Sequence, residues 1–174
     1  MAKEALGRVV DVAIGVAPLD MQTSRTGLLV SLKDNGGVLI VIAKGIGPAG
    51  DVPTWTLNQY TTSAGGGAAT LPIIDHYWVK SATTPGLVGT ETWTKVTQTA
   101  AATITDPAGS GGTYAQSQML IALEVDGKLL SSGYSYVALS SASVGSHAQL
   151  STTLYLPRDL DVQRAPEKLI AALS

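Results

Sequence analysis

Gly27-Leu28-Leu29-Val30-Ser31-Leu32-Lys33-Asp34-Asn35-Gly36-Gly37-Val38-Leu39-Ile40-Val41-Ile42-Ala43 decides how the rest of the chain is read. In its first half Leu28, Val30 and Leu32 recur at every second position, which places them on one face of a strand. Asp34-Asn35-Gly36-Gly37 then supplies residues that tolerate positive φ, a hairpin signal. The second half is apolar at every position. Such a strand is expected at the centre of a sheet, covered on both faces or covered on one of them by a neighbouring subunit. Two strands joined by a tight turn put the chain in the all-β class.

The same punctuation continues outward in both directions. Residues 45–53 form a Gly- and Pro-rich loop leading to a strand at 54–61, in which Trp55, Leu57 and Gln59 alternate with Thr56, Asn58 and Tyr60. Gly65-Gly66-Gly67 is a turn, and a strand with an irregularity at Pro72 is expected over residues 69–80. A loop at 83–89 precedes a strand at 92–97, and residues 106–113 are the most disorder-prone part of the body. Further strands are expected at 116–125, 134–141 and 147–156. Eight to ten short strands with closely spaced turns and no long helix describe an antiparallel β-sandwich or barrel.

The two ends read differently. Residues 1–20 look like an N-terminal arm, in which Val9, Val10, Val12, Ile14 and Val16 could form a strand. Residues 21–157 make the sandwich domain. Residues 158–174 look like an extended tail ending in a short helix, where Pro166 and Glu167 suit a first turn.

Composition narrows the function. A chain of 174 residues is long enough for a real core without metal or disulfide, and it has no cysteine. Charged residues make up 14%, against about 25% for ordinary soluble domains, which suits a surface that meets other protein. A net charge of −2 and eleven scattered basic residues argue against nucleic-acid binding. No stretch approaches the roughly 20 apolar residues of a membrane span. The first residues make a poor secretory signal, so a soluble protein made and assembled inside a cell is expected.

Residues equipped for chemistry are few. Asp75-His76 are neighbours on an expected strand and should point to opposite faces, which favours a structural, buried role for His76 over acid–base work. His147 lies in an expected turn and should be exposed. Neither histidine has metal-ligand spacing, and the glycine clusters are followed by neither Lys-Ser/Thr nor a helix, as a phosphate loop requires. Trp55, Trp78 and Trp93 could form a sugar-stacking platform, but aromatic residues more often serve as core or interface anchors. No catalytic residue, cofactor or metal is expected.

Several short patterns carry a resemblance. They are the run through Val30-Ser31-Leu32-Lys33-Asp34-Asn35-Gly36-Gly37, Ala49-Gly50-Asp51 with Thr56-Leu57-Asn58-Gln59, Trp93-Thr94-Lys95-Val96-Thr97-Gln98, and Ala142-Ser143-Val144-Gly145-Ser146-His147-Ala148-Gln149-Leu150. Together they resemble a group of tailed-bacteriophage capsid decoration or cement proteins across residues 17–158. The resemblance implies a jelly-roll-like β-sandwich with extended arms and no active site. It implies a virion structural protein, assembled in the host cytoplasm, that sits on the capsid surface. There it would stabilise the lattice by bridging major capsid protein subunits, itself a dimer or trimer. Partner contacts are then expected from the two ends: Val9, Val12 and Ile14, and Arg158, Leu160, Val162, Arg164, Leu169, Ile170 and Leu173. A carbohydrate-binding module, or another virion component of tail or connector, are the competing readings.

Overall fold

The computed structural model describes residues 5–33, 35–82, 86–105 and 116–161. These form β1 (Ala13–Asp20), β2 (Arg25–Thr26), β3 (Val30–Ser31), β4 (Asn35–Lys44), β5 (Thr54–Tyr60), β6 (Ala69–Thr70), β7 (Ile74–Ser81), β8 (Thr94–Ala101), β9 (Thr103–Thr105), β10 (Met119–Asp126), β11 (Tyr136–Ser141) and β12 (Leu150–Leu160). One antiparallel sheet runs β1-β12-β4-β10-β7-β8. The other runs β2-β11-β5-β6, with β3 also on β11 and β9 also on β5. The sheets do not close into a barrel; their inner faces share one core, as in a sandwich. Among the described residues there is no α-helix, only a 3₁₀ turn at Gly127–Leu129 capped by Asp126.

The all-apolar run of the opening stretch is central, as expected. β4 pairs with β10 from Gly37↔Asp126 to Lys44↔Met119, and with β12 on its other side. Val38, Ile40 and Ile42 are fully buried against the second sheet, whereas Leu39, Val41 and Ala43 are only half-buried on the opposite face. Only one side is covered.

Elsewhere two of the expected strands are shortened or divided. The strand expected from Leu28 contracts to Val30–Ser31 and leaves Leu28 exposed. Here the chain crosses between sheets, Gly27 N–H donating to Leu139 O and Leu28 N–H to Gly15 O. The strand expected over 69–80 is two, because Pro72 lacks the N–H that a continuous ladder requires.

The described parts of both ends are paired into the first sheet. Ala13–Asp20 is the edge strand of the first sheet, paired with β12 through two register breaks. The pairing continues in fragments toward the N-terminus, with an isolated bridge Val10↔Arg158 and Asp11 N–H donating to Pro157 O. Arg158 and Leu160 belong to β12, opposite Gly37 and Asn35, so the sandwich extends past residue 157. A chain ending at Pro157 is expected to lose these pairs and melt several degrees lower than one ending at Asp161, by differential scanning fluorimetry. Val162, Arg164, Leu169, Ile170, Leu173 and the expected short helix lie outside the described residues, as do residues 106–113.

Tyr155 fastens the two sheets. Fully buried on β12 of the first sheet, it accepts a hydrogen bond from Leu139 N–H on β11 of the second, at 2.9 Å. Burial pushes its phenol up to about 12, against an ordinary value near 10. The unfolded chain therefore loses this proton before the folded one does. The stability it contributes is complete below pH 10 and is lost as pH rises toward 12, by about 2–3 kcal/mol. The fall in stability between pH 10 and 12 should be visibly steeper for wild type than for Tyr155→Phe in urea titrations. Equal slopes would show that Tyr155 does not titrate in this window.

Candidate binding face

The outward residues of the first sheet fall into rows across its strands. One row is Ile14–Leu154–Val41–Ala122–Trp78, each pair directly opposed, ending at Lys95 on β8. A second is Thr152–Ala43–Leu120–Lys80. A third is Leu156–Leu39–Glu124. Alternation along the chain generates each strand's share of these rows, and the register of its neighbours aligns them.

Over β1, β12, β4 and β10 the face is mainly apolar, with Thr152 within it and the Glu124–Arg158 pair at its margin. Ile14 is 49% exposed and Leu150, at the end of β12, is 61% exposed. The face ends there in a shallow hollow of about 270 Å³ that also includes Pro18 and Leu87. Toward β7 and β8 it turns aromatic and charged. Lys95 Nζ stands 5.9 Å over the Trp78 ring and Lys80 Nζ 5.0 Å over the Trp93 ring, contacts that cover the aromatic faces with cations.

The second sheet is built differently. Its outward rows are Thr56–Ser140, Asn58–Ala138 and Tyr60–Tyr136, and Asn58 donates to Ser140 Oγ at 3.0 Å. Part of this face is already covered, since Ala138, Tyr60 and Tyr136 are buried in a small apolar cluster with Leu29, and only Thr56, Asn58 and Ser140 are partly open to water. An apolar face asks for cover, and contiguous exposed apolar surface marks protein contact.

The sequence-derived candidates distribute unevenly over this face. Ile14 opposes Leu154 within it, and the exposed Val12 lies two residues earlier, beside the β12 end. Val9 is exposed in the turn between the Leu6↔Val10 bridge partners. Arg158 sits at the margin, 3.5 Å from Glu124 and paired with Asp159. Leu39, Val41, Leu120, Leu154 and Leu156 were not anticipated as contacts. Their signal was the apolar run of residues 38–43 and the leucines at 150, 154 and 156, which share a parity opposite to that of Tyr155.

Two expectations need correction. Asp75 and His76 do not diverge: His76 Nδ1 donates to Asp75 Oδ1 at 2.6 Å, with both side chains exposed. The β7–β8 register breaks between Ile74 and His76, and alternation fails at such a break. The hydrogen bond from His76 holds the Asp75 carboxyl below its usual range. His76 is thus a surface residue, not a buried one. Trp55 is in the core at 1% exposure, so a three-tryptophan platform does not exist; Trp78 and Trp93 alone remain at the surface. His147 is exposed as expected, with Nδ1 3.1 Å from Asp51 Oδ2. Among the described residues no group of three His, Asp or Glu side chains could hold a metal ion.

No protein family, curated protein or solved structure matches the chain.

Proposed function

We propose that this chain is a structural protein of a tailed-bacteriophage head, one that decorates the capsid and stabilises it by bridging major capsid protein subunits. The observation that carries the reading is the apolar row structure on one face of the first sheet, set against a second-sheet face that is polar at Thr56, Asn58 and Ser140 and covered at Tyr60, Tyr136 and Ala138. A protein with one such face can lie flat on a lattice and present the other to water. The resemblance in residues 17–158 supplies the kind of lattice. Four strands of 8 to 11 residues, about 4.8 Å apart, give a flat footprint of roughly 600 Å². That approaches the ~800 Å² per partner of a standard interface before side-chain relief is counted. Burying it over a joint between two coat subunits would tie them together without any reacting group, and self-association as a dimer or trimer would extend the tie.

Immunogold labelling of gradient-purified virions, with antibody raised against the purified chain, tests this directly. Label is expected over heads, with peptide mass spectrometry giving a copy number that scales with the major capsid protein. Label confined to the tail or neck, or no protein in washed particles, would remove the decoration reading.

A further inference from the structure

The ladder between β7 and β10 stops half-way. Its pairs run from Met119↔Ser81 to Ala122↔Trp78 and go no further, although both strands continue. Beyond that point β7 keeps β8 on its far side and β10 keeps β4 on its far side. The two strands therefore face each other across a gap with edges that a continuing ladder would have used. On β7 the Ile74 carbonyl already accepts from Gln98 Nε2 at 2.9 Å, whereas the β10 edge past Ala122 has no ladder partner on this side among the described residues and can take one from water or from another chain.

The gap is a hollow of about 570 Å³, within the range of sites that enclose a ligand. Ile74 and Leu123 are buried beneath it, and Trp78 and Leu129 (52% exposed) stand beside it. Its rim carries three carboxylates, Asp75, Glu124 and Asp126, against the guanidinium of Arg158 and the imidazole of His76, which donates to Asp75 at 2.6 Å. That guanidinium is already engaged by Glu124 and Asp159. Apolar sides, an acidic rim and two facing strand edges are complementary to one kind of occupant.

We propose that this hollow accepts an extended segment of another protein chain, laid as a strand between β7 and β10, with apolar residues alternating with lysine or arginine. Backbone hydrogen bonds to the strand edges would hold the segment, and alternate side chains would set specificity, apolar ones toward Trp78 and Leu129 and cationic ones toward the rim. This goes beyond capsid decoration and does not need it, because a strand acceptor of this kind can serve any partner with such a segment.

The test uses the full chain, ¹⁵N-labelled, with the peptide acetyl-Val-Lys-Val-Lys-Val-amide. Its N-methylated analogue cannot complete a ladder, and its Val-Glu-Val-Glu-Val counterpart has the wrong charge. The lysine peptide is expected to bind saturably and to slow amide exchange by about tenfold or more at residues 74–76 and 123–126. The other two should not. Glu124→Gln and Asp75→Asn should each weaken binding several-fold with unchanged melting temperature; Asp75→Asn leaves the Arg158 pairs untouched and keeps an amide oxygen that can accept from His76, so the two variants remove charge beside different neighbours. No saturable binding, protection mapping elsewhere, or equal binding of the N-methylated peptide would overturn the proposal.

Discussion

Tyr155→Ala is expected to lower the unfolding midpoint by roughly 10–15 °C, a loss of about 4 kcal/mol. Deleting a buried aromatic ring removes its transfer free energy and leaves a cavity. Here it also strands the Leu139 N–H, which loses its acceptor inside the core. Tyr155→Phe keeps the ring and removes only the acceptor, so it should cost about 1–3 kcal/mol. The ring is enclosed by two glycines. A Cβ added at Gly15 would lie 2.5 Å from the ring carbon Cζ, and one at Gly27 would lie 2.7 Å from the hydroxyl and 2.5 Å from Leu139 O. Gly27→Ala should therefore be the more damaging of the two alanine substitutions, because backbone opposes it. Gly15→Ala should be partly rescued in the Tyr155→Ala background, a coupling that a double-mutant cycle measures. Additive effects would show that Gly15 and Tyr155 do not share this packing.

Paired substitution of Val41→Glu and Leu154→Glu is expected to abolish particle binding while leaving the sandwich folded. The two residues are directly opposed at the middle of the apolar face, and both are half-buried. Placing two carboxylates there would force unpaired charge into any interface the face forms, weakening it by roughly a hundredfold or more. In the isolated chain they remain accessible to water and should cost about 1–2 kcal/mol at most. Co-sedimentation of purified chain with stripped virions, alongside thermal melts, separates the two effects. Wild-type occupancy by the double variant would overturn the proposed role of this face. The matched change on the second sheet, Thr56→Glu with Ser140→Glu, should leave occupancy unchanged.

The strand inventory was readable from local pattern because the repeat that makes a strand lies within a few residues. The central position of residues 38–43, the break at Pro72 and the exposure of His147 all follow from this short-range chemistry. The errors came where a distant segment intervened. Leu28 is pulled out of its alternating set by hydrogen bonds to Gly15 and Leu139. Asp75 and His76 meet because β8 slips its register beside them. Ala13–Asp20, isolated on the sequence, has its pairing partner some 130 residues later in β12.

The candidate surfaces belong to the same long-range category. Composition and alternation already stated that this is an all-β chain of low charge, without cysteine, whose best central strand has one more apolar face than a lone sheet needs. They could not say that Ile14, Leu154, Val41, Ala122 and Trp78 form one row, since that row joins five strands through four independent registers. Nor could they say that β7 and β10 part after Ala122↔Trp78. Side-chain alternation is a property of one strand and is written in its residues. Which residues stand beside one another across a sheet is settled only when distant strands pair, and each register is chosen by the core that all of them bury together.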